Sequence, residues 1–298
     1  MGRSEVFIAA AALVLAAAFE ARGQDPVVAP EQQAAPTPKE QLEKLLEECK
    51  GAPIRGPMTD AERIEYIGRG YRKRYEVSVR LVDLAERYSK DPVALQALIQ
   101  ACWQVNTNPW PVELVGDDLA SGRALAIVQR DHLASSEIGP LCRRIGYGLR
   151  REYEPFLRAV LAGSPHLDVQ GVACLALAHF LGQRLQRLEL LELQPESRKE
   201  FAGLFGADYL EALLKLDRAE AGREVDALLE RAVKEFGAVP LAEGGTVGEK
   251  ATGELFERRQ LCVGATAPEI EGEDQQGVRF KLGDYRGKVV LLDFWSWV

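Results

Sequence analysis

From Thr37 to about Arg259 the apolar residues recur at helical spacing almost without interruption, and the runs carry their own start and stop signals. A chain patterned this way buries one stripe of each helix against another helix, which confines it to helix-on-helix architectures. In "TPKEQLEKLLEECKG", Thr37 is placed to cap, Pro38 suits the first helical position, Glu40 completes a capping box and Gly51 ends the helix. Leu42, Leu45 and Leu46 form its narrow apolar stripe. A second box, "TDAE" from Thr59 to Glu62, opens a long amphipathic run through Tyr66, Tyr75, Val79, Leu81, Val82, Leu84 and Ala85 toward Tyr88. "KDPVALQALIQACWQV" then starts another helix, with Asp91 as its cap and Pro92 at its first position. Two helices joined by so short a turn make a hairpin.

The same grammar recurs twice. "YEPFLRAVLAGSPHLDVQGVACLALAHFLGQRLQRL" gives a helix, a break over residues 163–165, a cap at Asp168 and a more apolar second helix. "ADYLEALLKLDRAEAGREVDALLERAVKEFG" reads as a third pair. No strict period links the copies, so a helical-hairpin repeat and an irregular bundle both remain open; the fold class is mainly α. A stack of this kind offers a face to a protein partner. Trp103 and Trp110, in "CWQVNTNPWPVE", read as buried aromatic ends of a helix and its loop.

Composition excludes several functions. Hydrophobic residues make up 47% and charged residues 28% of the 298, a globular balance, and the net charge of -8 comes from interspersed acids and bases. No basic stripe marks a nucleic-acid partner. The first 23 residues have Arg3 in a short polar start, an apolar run from Val6 to Phe19, and Ala21 and Gly23 at the small-residue positions of a cleavage site. They read as a signal peptide, because the apolar run is shorter than the roughly 20 residues of a spanning helix. Residues 24–36, rich in Pro, Ala and Gln, read as a linker to a helical domain over residues 37–259. The expectation is export to a periplasmic or extracellular space, with no stable membrane span after cleavage.

Cys49, Cys102, Cys142, Cys174 and Cys262 are odd in number and widely spaced, with no C-x-x-C pair, so they build no disulfide framework, although one disulfide remains open. Cys102 and Cys174 lie in apolar helical runs and read as small buried hydrophobes. His132, His166 and His179 show no metal-ligand spacing, and His179 reads as a satisfied core residue. No catalytic residue, metal site or cofactor site is identified.

After a further helix from about Gly248, the grammar changes at Leu261. Short strands alternate with glycine turns: residues 270–273, a turn at 275–277, residues 278–281, a turn at 283–286, and a buried strand over residues 288–294. Gly264, Ala267-Pro268, Gly272, Asp274, Gly277, Phe280, Leu282, Asp284-Tyr285, Gly287-Lys288 and Asp293-Phe294-Trp295 resemble the opening segment of the redoxin group of thioredoxin-like proteins. That group includes exported thiol-disulfide oxidoreductases and alkyl hydroperoxide reductase/thiol-specific antioxidant proteins. The resemblance covers residues 261–298 and implies a truncated thioredoxin-like α/β domain after the helical one.

In the oxidoreductases of that group the last strand leads to W-C-x-x-C at a helix N-terminus, where dipole and backbone N–H groups stabilise a thiolate. Here Trp295, Ser296, Trp297 and Val298 follow the strand, and matching Trp297 to the family's tryptophan puts Val298 at the first cysteine position. Valine is no nucleophile, so no catalytic residue carries over. Two readings remain: an exported redoxin-family oxidoreductase interrupted by a frameshift, a stop or a cysteine codon read as termination, and a non-enzymatic helical scaffold with a vestigial tail.

Overall fold

Each helix begins where the sequence supplies an acceptor for its free N–H groups. In the computed structural model, which describes residues 35–50, 58–105 and 120–293, α1 spans Pro38–Glu48 and α2 spans Asp60–Arg87. Both open on the expected boxes. Thr37 Oγ1 accepts the Glu40 N–H at 3.3 Å while the Glu40 carboxylate accepts the Thr37 N–H at 2.7 Å. Thr59 and Glu62 repeat the pair at 3.3 and 2.8 Å. Asp91 accepts the Val93 N–H at 2.9 Å at the head of α3, Val93–Val105. The stop assigned to Gly51 lies outside the described residues, as does Trp110.

The remaining α-helices are α4 (Ala120–Asp131), α5 (Gly139–Ile145), α6 (Tyr153–Gly163), α7 (Leu167–Leu193), α8 (Ser197–Phe205), α9 (Ala207–Leu214), α10 (Arg218–Phe236) and α11 (Val247–Gln260). The fold is mainly α, with eleven α-helices and one two-stranded sheet among the described residues. Two starts differ from the sequence reading. The α7 cap is His166 rather than Asp168, because Ser164 ends the break: its carbonyl accepts Gln170 Nε2 at 2.6 Å and its hydroxyl accepts the His166 N–H at 3.3 Å. Asp168 falls in the first turn, where its charge still suits the helix dipole. The helix placed near Gly248 has its own capping box, Thr246 with Glu249.

Packing runs along the chain. α2 lies on α3, α3 on α4, α4 on α6, α6 on α7, α7 on α10 and α10 on α11. α7 is the centre: six consecutive residues from Ala173 to Ala178 are buried, a pattern possible only for a helix covered all round. Small residues let its neighbours approach. A Cβ on Gly146 would sit 2.8 Å from the Ala176 carbonyl oxygen, and one on Gly171 would sit 2.9 Å from Phe236 Cβ. Gly248 meets Gly237 in the same way, a Cβ there falling 2.7 Å from the Gly237 Cα. A main core built around α1 to α7, α10 and α11 is joined by a satellite core of Leu188, Leu191, Phe201, Tyr209 and Leu213 under α8 and α9. No helix among the described residues is long and apolar enough to cross a membrane.

The C-terminal part departs from expectation. β1 (Glu271–Glu273) and β2 (Arg279–Lys281) form the expected hairpin, with Gly272 opposite Phe280, followed by a 3-10 turn at Leu282–Tyr285. The strand expected over residues 288–294 does not form in its described part, residues 288–293, and it is not buried: Val289 is 103% and Leu291 93% exposed. A strand is stable only when another strand satisfies its backbone, and none among the described residues does. Trp103, expected to be buried, stands 37% exposed on α3. It sits in a column apart from Leu98, Ala101 and Cys102, which carry that helix's burial.

Candidate functional site

Of the residues that carry the redoxin resemblance, those from Gly272 to Lys288 lie in the C-terminal hairpin and the turn that follows it. Asp274 organises its turn: Oδ1 accepts the N–H groups of Gln276 and Val278, both at 2.9 Å, while its own N–H donates to the Val278 carbonyl at 3.0 Å. Gly277 closes that turn at φ 78°, in the left-handed region open to glycine. Gly272 leaves room for the Phe280 ring across the ladder, within 3.0 Å of where a Cβ would stand. Glu269 accepts the Gly283 N–H at 2.8 Å and Asp284 accepts the Lys281 N–H at 3.1 Å, which fixes the 3-10 turn against the strands. Gly287 follows at φ 85°, and the Lys288 N–H returns to the Tyr285 carbonyl at 3.1 Å. Every one of these contacts shapes backbone. Phe294 and Trp295 lie outside the described residues, with Trp297 and Val298.

An open cavity of about 450 Å³ lies over the hairpin, lined by Phe280, Asp284 and the charged pairs of the ladder. Lys281 pairs with Glu271, and Arg279 with Glu273 at 3.3 Å, so each cation already has its carboxylate. The lining residues include no thiol or hydroxyl, and the one carboxylate among them without a cation, Asp284, accepts the Lys281 N–H.

The cysteines do not converge. All five are free thiols. Burial pushes Cys102 far above the ordinary thiol range, Cys142 up to about 12 and Cys174 up to about 11. Burial also raises half-buried Cys49, outweighing the nearby Arg74. The thiolate is the reactive species, so these four are held in the inert form at neutral pH. Cys102 and Cys174 are fully buried, as the apolar helical runs suggested. Cys262 is exposed, ahead of the hairpin and away from the other thiols in sequence.

Two polar clusters in the helical part escaped the sequence reading. His179 Nε2 donates to Glu254 Oε1 at 2.6 Å, joining α7 to α11, and the Tyr147 ring stacks on the imidazole with centroids 4.8 Å apart. Partial burial, then the carboxylates of Glu254 and Glu243, push the Tyr147 hydroxyl up, so it is a neutral phenol at neutral pH. His179 is therefore a partnered interior residue. The second cluster links α6, α7 and α10: Glu154 pairs with Arg184 and Arg158, Arg158 reaches Glu224 at 2.7 Å, and the Arg184 guanidinium lies over the Phe180 ring at 5.9 Å. The partners are 30 to 75 residues apart in sequence, except for two steps of one helical turn, Glu154 to Arg158 and Phe180 to Arg184. Only those two steps are legible locally. His166 donates to the Ala134 carbonyl at 2.9 Å, and no group of three or more metal-ligating side chains occurs among the described residues.

No protein-family model matches this chain, and no curated protein and no solved structure matches it either.

Proposed function

We propose that the chain is an exported protein of the redoxin, thioredoxin-like group, with a helical N-terminal domain that serves as an interaction platform, and that it does not itself turn over disulfides or peroxides. The observation that supports the family reading is local. Six of the residues shared with that group take part in one hairpin-and-turn unit: Asp274 and Asp284 accept backbone N–H groups, Gly277 and Gly287 take positive φ, and Gly272 makes room for the Phe280 ring. The absence of turnover follows from chemistry. Disulfide turnover in this group uses a thiolate at a helix N-terminus with a second thiol two residues on, and the five cysteines contain no such pair; peroxide reduction needs one activated thiolate, but burial raises four of the thiols and the exposed Cys262 precedes the first strand, outside the family's active-site position. Export rests on the charged, apolar and small-residue order of residues 1–23.

One observation favours the scaffold reading instead: four of the five thiols have raised pKa values through burial, and both polar clusters in the helical part act as struts between helices. One measurement tests the chemistry that the two readings share, and another separates them. Insulin reduction and peroxide consumption by the purified chain should match buffer under both; activity abolished by Cys262→Ser would overturn the chemistry assigned here. The coding DNA after the Val298 codon, translated in its three forward frames, should contain a C-x-x-C followed by further α/β pattern. Its absence from all three would leave the scaffold reading.

A further inference from the structure

Two buried polar atoms of the helical region have no hydrogen-bond partner among the described residues: the hydroxyl of Tyr209 on α9 and Nε of Arg184 on α7. Tyr209 is 7% exposed and the Arg184 side chain 14%. Both stand inside the continuously described residues 120–293, and so do Glu152, Glu154 and Arg158 beside them. Other buried polar side chains are satisfied: Ser78 donates to the Ala101 carbonyl at 2.9 Å, and the Ser164 hydroxyl accepts the His166 N–H at 3.3 Å. A buried donor without an acceptor carries the full cost of its desolvation, so such atoms are rare in folded chains and call for a partner.

The two atoms meet at one seam. Arg184, Leu188 and Leu191 follow one another at spacings of four and three along one face of α7. Leu188 and Leu191 share the satellite core with Tyr209, so Arg184 continues the face on which Tyr209 packs. The Tyr209 ring lies against Phe201 and Phe205, with centroids 6.0 and 6.4 Å away, while its hydroxyl feels the charges of Arg184, Glu154 and Glu152. Burial, with Arg184 opposing and the two carboxylates adding to the rise, pushes that hydroxyl up to about 12, so it keeps its proton and donates. The Arg184 bond to Glu154 uses Nη1, which leaves the Nε–H edge of the guanidinium for another acceptor. Two donors therefore call for an acceptor at the same seam.

The surroundings decide what that acceptor is. Of the three charges acting on the hydroxyl one is positive and two are negative, so an anion would be repelled. Glu154 is already engaged by Arg158 and Arg184. A water molecule meets every requirement: it accepts from both donors and turns its own two hydrogens to Glu154, in the first turn of α6, and to Glu152, the residue that caps it. Buried waters typically hold about three such bonds.

We infer that one water molecule is bound between Tyr209 Oη, Arg184 Nε and the carboxylates at the head of α6, and that it joins the satellite core to the main one. The site is built from the helical region alone and does not depend on the redoxin reading.

A crystal structure of the full chain that resolves ordered waters tests it. One water peak should lie within hydrogen-bonding distance of both atoms, roughly 2.7–3.2 Å. Tyr209→Phe removes one of its bonds and leaves the ring in place, so the urea midpoint of this variant should fall. A hydroxyl with no partner at all gives the opposite sign, because losing it relieves a buried donor and raises the midpoint. No peak bridging the two atoms, an ion or a side-chain oxygen in its place, or a Tyr209→Phe midpoint equal to or above that of the unsubstituted chain would each overturn the inference.

Discussion

Residues 38–260 and residues 261–293 are both well supplied with apolar side chains, yet the first region buries a continuous core and the second has no buried residue. The difference lies in where each kind of element finds its hydrogen bonds. A helix satisfies most of its backbone internally and needs only a neighbour's side chains to cover its stripe. A strand has no such independence, and a lone two-stranded hairpin buries too little to organise further chain. Phe180 and Phe280 show the contrast in one residue type. Phe180 is wholly buried on α7, edge-on to Tyr153 at 6.4 Å and under Arg184, whereas Phe280 is half-covered, with Gly272 across the ladder.

The sharpest way to break this comparison is to truncate both rings. Phe180→Ala should cost about 3–5 kcal/mol, the range for deleting a buried aromatic ring, and should lower the melting midpoint of the helical signal by many degrees. Phe280→Ala should leave that midpoint in place. Equal losses in calorimetry would mean that the hairpin is packed into the helical core after all.

Next in size is the glycine contact where α10 meets α11. Gly248→Ala puts a methyl against Gly237 backbone, which cannot rotate aside as a side chain would, so a loss of about 1–3 kcal/mol is expected in chemical denaturation. Gly253→Ala, on the same helix with nothing within 4 Å of the new methyl, serves as the control and should be neutral or slightly stabilising.

Acidification should give a smaller effect, confined to the helical region. Hydrogen bonds from the backbone of Thr37, Thr59 and Glu220 hold Glu40, Glu62 and Asp217 below the usual carboxylate range. Their folded-state values are depressed, so their contribution is complete above the unfolded carboxylate pKa and fades as pH falls through the folded one. Helicity by circular dichroism should hold down to that range and decline below it. Glu62→Gln, which keeps a capping acceptor without the charge, should flatten the part of the decline that comes from α2. An unchanged acid limb in that variant would remove this box from the account.

The smallest effect on stability is expected from deleting residues 288–298. The helical signal and its midpoint should stay nearly the same while the chain becomes more soluble. A large drop in the midpoint would show that the segment supports the helices, and the two regions would no longer be separable.

Several of these features were readable before any coordinates because they are local. Thr37 with Glu40, Thr59 with Glu62, and Asp91 before Val93 each act within one turn, so spacing alone identifies them. Thr246 with Glu249 carries the same signal, two residues before the Gly248 start that the apolar pattern suggests. Asp168 has the right chemistry for a cap but stands two residues too late, because Ser164 takes the Gln170 side chain and the His166 N–H. His179 could be read as satisfied but not by what, since Glu254 lies 75 residues away. The central standing of α7 was likewise hidden. Its run of small and apolar residues says that it is covered on every side, not which helices cover it.

By itself, then, the sequence determined what the backbone decides within a few residues: helix starts, the mainly α class, the hairpin turn at Asp274 and Gly277, and the inertness of cysteines set in apolar runs. Tertiary structure decided the partners: α7 at the centre, His179 on Glu254, Arg158 between Glu154 and Glu224, and the exposure of Val289 to Leu292. The physical reason is the range of the interactions. Capping and turn bonds close within about four residues, so spacing specifies them, whereas side-chain packing and strand pairing need a second segment whose position only the folded chain supplies.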